Sequence, residues 1–69
     1  MAVFTSSVFA LRRKLILEAL RHSGAVSPET AKRLSETELE NPDTFAEYTQ
    51  QLVDMKLIGR TADGRYYEL

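Results

Sequence analysis

Catalysis by nucleophilic attack needs a nucleophile, a base within hydrogen-bond reach and a third group to orient the base. The 69 residues include one histidine, His22, and no cysteine, and the serines read as helix caps. A single imidazole cannot build a histidine metal site, and without cysteine neither a thiolate site nor a disulfide framework is available. Three scattered glycines form no phosphate-cradling loop. Glu38 and Glu40 are two apart, so on a helix they would not face each other, and they read as a solvated loop rather than an acid–base pair. These residue types predict no enzyme, no cofactor and no metal.

What remains is charge and its distribution. The formal net charge is −1, which argues for neither a nucleic-acid-binding tail nor a solvating acidic segment. Residues 8–24 carry Arg12, Arg13, Lys14 and Arg21 against Glu18 alone, whereas residues 27–54 carry Lys32 and Arg33 against seven carboxylates. Each exposed cation taken singly reads as an ordinary solvated charge.

A chain of this length makes one domain, 1–69, with residues 1–6 as a short lead-in. Its core is thin, so tight helix packing or oligomerisation must supply stability. No stretch approaches the ~18–20 apolar residues that span a bilayer. The cations near the N-terminus follow the apolar run instead of preceding it, unlike a secretory signal, so the cytoplasm is the expected location.

Thr5-Ser6-Ser7 supplies caps for a first helix over 7–22, with Val8, Phe9, Leu11, Leu15, Ile16, Ala19 and Leu20 on one broad apolar face and Gly24 as its stop. Arg12 falls in the middle of that face, where a snorkelling side chain or a carboxylate partner is expected, and Leu17 falls on the polar side. Ala25-Val26 is a short extended link. Ser27-Pro28-Glu29 has the grammar of a helix start and predicts a short second helix over 28–35, with Val26 stapled onto Ala31. A polar connection anchored by Leu39 leads to Asn41-Pro42-Asp43, which repeats that grammar and predicts a third helix over 42–56. Its inward side is Phe45, Tyr48, Thr49, Leu52, Val53 and Met55. Asp63-Gly64 then predicts a type I′ hairpin pairing Ala62 with Arg65, Arg60 with Tyr67 and Ile58 with Leu69. The fold class is mainly α with a small β-hairpin.

Three helices, the last running into a hairpin, resemble the winged-helix family of helix-turn-helix domains. The closest local likeness is Leu57-Ile58-Gly59-Arg60 followed by Asp63-Gly64-Arg65-Tyr66-Tyr67-Glu68-Leu69, with Val26-Ser27-Pro28-Glu29-Thr30-Ala31 resembling the approach to the family's second helix. The resemblance implies a DNA-binding, transcription-regulatory role with the third helix in the major groove and the wing on backbone or minor groove. Carried onto this sequence, it makes Lys32, Arg33, Arg60 and Arg65 phosphate contacts and Gln50 and Thr44 base-facing residues. The outward face of the third helix departs from that chemistry, since Asp43, Glu47, Gln51 and Asp54 include no cation and carboxylates oppose phosphate. The alternative is a protein-interaction or dimerisation domain. In it, this acidic face meets a basic partner or the chain's own first helix, and Met1–Phe4 and Leu17 add apolar contact.

Overall fold

The computed structural model describes residues 3–69, with side chains from Ser7 onward. Two α-helices, α1 (Val3–His22) and α2 (Ala46–Asp54), lead into an antiparallel hairpin of β1 (Ile58–Arg60) and β2 (Tyr66–Glu68). No helix among the described residues is long and apolar enough to cross a membrane. Ile16, Ala19 and Leu20 of α1 meet Ala25, Leu34, Leu39, Leu52 and Ile58 in one buried cluster. Half-buried Leu17 packs on this cluster, which assigns it to the core margin instead of the polar side.

The helix α1 begins at Val3, so Ser7 lies inside it and not at its cap. The apolar lead-in Met1–Phe4 falls outside the described side chains. At the other end Gly24 takes φ +79°, the Ala25 N–H donates to the Leu20 carbonyl at 2.9 Å and the Gly24 N–H to that of Arg21 at 3.1 Å. That pair of bonds closes the helix through a left-handed residue. The same closure ends α2, where Leu57 N–H reaches Leu52 and Lys56 N–H reaches Val53, but here the left-handed residue is Lys56 at φ +65°.

The helix expected over 28–35 does not form. Residues 28–30 and 34–36 are two single 3-10 turns. Ser27 starts the first as its position suggests, with the Thr30 hydroxyl accepting from the Val26 and Ser27 N–H groups. Ala31 then turns extended, and Lys32 exchanges both backbone hydrogen bonds with Tyr66, at 2.9 and 2.8 Å. Pairing to the hairpin displaces the helix that the local sequence favours. Val26 is exposed, so no staple covers it. Glu68 N–H also donates to the Ala25 carbonyl, so β2 is bonded on its second side at Ala25 and Lys32.

The hairpin register differs from the expected one by one residue. Ile58 faces Glu68, Gly59 faces Tyr67 and Arg60 faces Tyr66. A type I′ turn needs φ > 0 at both central residues. Gly64 has φ +83°, while Asp63 is absent from the positive-φ positions. The turn is instead a three-residue loop in which Gly64 N–H donates to Thr61 and Thr61 N–H donates to Arg65. Asp63 is held by the Thr61 hydroxyl and by Arg65 Nε at 2.9 Å, with Thr61 first in lowering its carboxyl below the usual range and Arg65 second. A one-residue slip exchanges the faces of a strand. Tyr66 and Glu68 therefore share the face of Ile58, Tyr67 lies across Gly59, where any Cβ would strike its ring, and Leu69 is exposed.

The late start of α2 follows from Arg12. This side chain is only 6 % exposed, and its partners are backbone carbonyls and not a carboxylate. Arg12 Nη1 donates to Glu40 at 3.2 Å, and Nη2 donates to Asn41 at 2.8 Å and to Thr44 at 2.9 Å. Burial lowers the guanidinium pKa from its ordinary value, and the carbonyl oxygens replace the water lost from the two Nη groups, while the buried Nε has no hydrogen-bond partner. Presenting those carbonyls to one point requires a compact turn, and Asn41 (φ 53°) and Phe45 (φ 60°) both adopt left-handed backbone to make it. Residues 42–45 are thus turn and not helix. Phe45 lies under the guanidinium at 5.6 Å and stacks on Tyr48, which meets Phe9 edge-on at 5.4 Å. Phe45 and Met55, expected inside, are exposed.

Arg12→Leu leaves three part-buried carbonyls without their donor and should lower the unfolding free energy by about 1–3 kcal/mol in urea titration, with Arg12→Lys recovering only part. A loss below about 0.5 kcal/mol would mean the turn holds without the guanidinium. Conversely, Lys56→Gly relieves a left-handed side chain and should raise stability by about 0.5–1 kcal/mol by the same titration, net of the added unfolded-state entropy.

Candidate functional site

The hairpin, the 33–35 turn and the first half of α2 enclose an open groove of about 610 Å³. Its walls carry Arg33 and Arg60 on the hairpin side and Asp43 and Glu47 on the helix side, with Gln50, Thr49 and Tyr66 between them. Four residues singled out in the sequence for opposite roles therefore line one concavity.

The cations arrive there through strand pairing. Residues directly opposite one another in a sheet share a face. Tyr66 has Arg60 opposite it on β1 and Lys32 opposite it on the other side. Lys32, Tyr66 and Arg60 thus form a row across the sheet, with strands ~4.8 Å apart. Arg33, next to Lys32 in the chain, lines the groove with Arg60 and Tyr66 and reaches the hairpin loop, its Nη1 3.8 Å from where a Cβ on Gly64 would lie. None of Lys32, Arg33 and Arg60 makes an ion pair among the described residues.

Arg65 differs. It is held by Asp63 at 2.9 Å and lies 3.7 Å from Glu36, so its charge is largely answered within the protein. Thr44 sits in the turn before α2, with its carbonyl given to Arg12, and is not on a helix face. Gln50 lines the groove, but its amide donates to Asp54 at 2.9 Å. The acidic face is divided as well, with Asp43 and Glu47 in the groove and Gln51 and Asp54 exposed outside its lining. Thr49, 5 % exposed, has no hydrogen-bond partner for its hydroxyl.

Elsewhere Arg21 bonds Glu68 at 2.7 Å, which raises the Arg21 pKa, and His22 Nδ1 lies 3.0 Å from Glu38. These tie the end of α1 to β2 and to the 37–40 loop. Among the described residues no cluster of three metal-ligating side chains occurs. The role of Glu36 beside Arg65 had no sequence signal, because the 28 positions between them are closed only by the 3-10 turn. The Asp63–Arg65 bond did have one, since a glycine between them sets a loop short enough to bring both ends together. Comparison with family models, with curated proteins and with solved structures finds no match.

Proposed function

We propose that the protein is a non-enzymatic binding domain of winged-helix type that engages the phosphate backbone of double-stranded DNA through its hairpin and the adjoining 32–33 segment. The observation that carries this reading is the convergence of Lys32, Arg33 and Arg60, from two distant parts of the chain, around Tyr66 without internal ion pairs. The order of helix, short helical turns, helix and hairpin supports this reading, with two 3-10 turns standing where a winged helix has its second helix. Phosphates sit along a duplex at regular intervals, and a short row of unpaired cations matches them without reading sequence. Base reading by α2 is poorly supported, because Gln50 is engaged by Asp54 and Thr44 is off the helix. Binding is therefore expected to tolerate many sequences.

A second reading places a basic polypeptide in the groove, favoured by Asp43 and Glu47, which also make no ion pair among the described residues. Three phosphate contacts predict a slope of about −2.7 for log affinity against log salt, roughly sixfold weaker binding per doubling of salt. Arg33→Ala or Arg60→Ala should each reduce the slope by about 0.9, Arg65→Ala should reduce it less, and Asp43→Asn with Glu47→Gln should tighten binding. Fluorescence anisotropy with a short duplex, beginning at ~50 mM salt, measures all of these. No binding at that salt, together with saturable binding of a lysine-rich peptide lost in the Asp43→Asn, Glu47→Gln variant, would replace the DNA reading with the second.

A further inference from the structure

Three apolar side chains of α1 face solvent: Val8 at 47 %, Leu11 at 58 % and Leu15 at 42 %. They lie at i, i+3 and i+7, the spacing of a narrow helix-pairing seam, and the sequence carries the same spacing back to Phe4 and Met1. The rest of the chain covers a different side of the helix, where Arg12, Ile16, Ala19 and Leu20 are buried. A helix of 20 residues is about 30 Å long. The molecule measures 40 Å on its long axis and 22 and 17 Å on the others.

The flanks of the seam are charged, and oppositely. At 100° per residue Lys14 lies on one side of Leu11 and Leu15. On the other side the 38–40 loop approaches, where Leu15, Glu38, Leu39 and Glu40 line a shallow hollow. Both flanks are level with Leu15. Lys14 and Glu40 are exposed and make no ion pair among the described residues, while Glu38 is shared with His22.

We propose that this seam binds a second copy of the chain, with the two α1 helices parallel and a two-fold axis running between them. A surface that meets its own copy must be self-complementary under the symmetry operation. With the axis along the helices, the basic flank of one protomer faces the acidic flank of the other, so Lys14 meets the partner's Glu40 twice. With the helices antiparallel, acid faces acid and lysine faces lysine. Glu18 continues the spacing beyond Leu15 and ends the apolar contact there. This association uses none of the groove residues and is independent of what the groove binds.

Sedimentation equilibrium from about 10 μM to about 1 mM should show the mass rising toward twice that of the chain. Leu11→Lys should weaken the dimer at least about tenfold, since the seam loses apolar area on both copies and gains two buried charges. Lys14→Glu should weaken it by about tenfold through two opposed pairs, and Lys14→Glu with Glu40→Lys should recover most of the loss. With no native cysteine, Leu11→Cys should oxidise to a covalent dimer much faster than Val26→Cys, an exposed position off the seam. A monomer throughout the range, a dimer indifferent to Leu11→Lys, a double exchange no better than the single one, or equal oxidation of the two cysteine variants would each overturn the proposal.

Discussion

A charged side chain removed from water must recover elsewhere the hydrogen bonds that water gave it. Arg12 does so through its two Nη groups on three main-chain carbonyls, those of Glu40, Asn41 and Thr44, and leaves only Nε without a partner. That choice of partner governs much of the chain. Carboxylates could have reached the guanidinium from flexible side chains, but carbonyls are part of the backbone, so the backbone itself must be shaped to the planar donor. The 40–45 segment winds tightly, with left-handed residues at Asn41 and Phe45, and α2 can begin only at Ala46. The start of α2 in turn sets where Glu47 and Gln50 stand beside the hairpin. Arg12 therefore shapes one wall of a groove it does not itself line.

The second constraint is the pairing of Lys32 with Tyr66. It ends the first 3-10 turn, holds the 31–33 segment extended and brings Lys32 and Arg33 to the hairpin. Here a long-range pair of backbone hydrogen bonds prevails over a local cap of Ser27, Pro28 and Glu29, which on its own favours helix. The hairpin loop then fixes register, with Gly64 supplying the one left-handed position and Asp63 bracing the turn through Thr61 and Arg65.

The order of elements was legible wherever hydrophobic spacing and termination signals agreed. The apolar period of α1 with Gly24 after it, the buried anchor Leu39, and the hairpin centred near Asp63-Gly64 all follow from local sequence. The length of the second helix, the start of the third and the hairpin register were not legible, because each is decided by a partner far along the chain: Tyr66 for Lys32, Arg12 for the 40–44 carbonyls, and the loop bonds of Thr61 for the register. The candidate site shows the same division. The cations were identifiable as residues, but their row across the sheet depends on a bridge with no periodic signature, and the pairing of Arg65 with Glu36 depends on a turn expected to be helix. The apolar face of α1 was read as wholly inward because periodicity gives the width of a face and not how much of it the body can cover.

Arg12 can be observed directly. ¹⁵N-labelled protein at low temperature should show resolved, slowly exchanging guanidinium Nη protons for Arg12, with nuclear Overhauser contacts to residues 41 and 44 and to the Phe45 ring. Collapsed, rapidly exchanging signals for Arg12, like those expected of exposed Arg33, would show that the guanidinium does not hold the turn before α2.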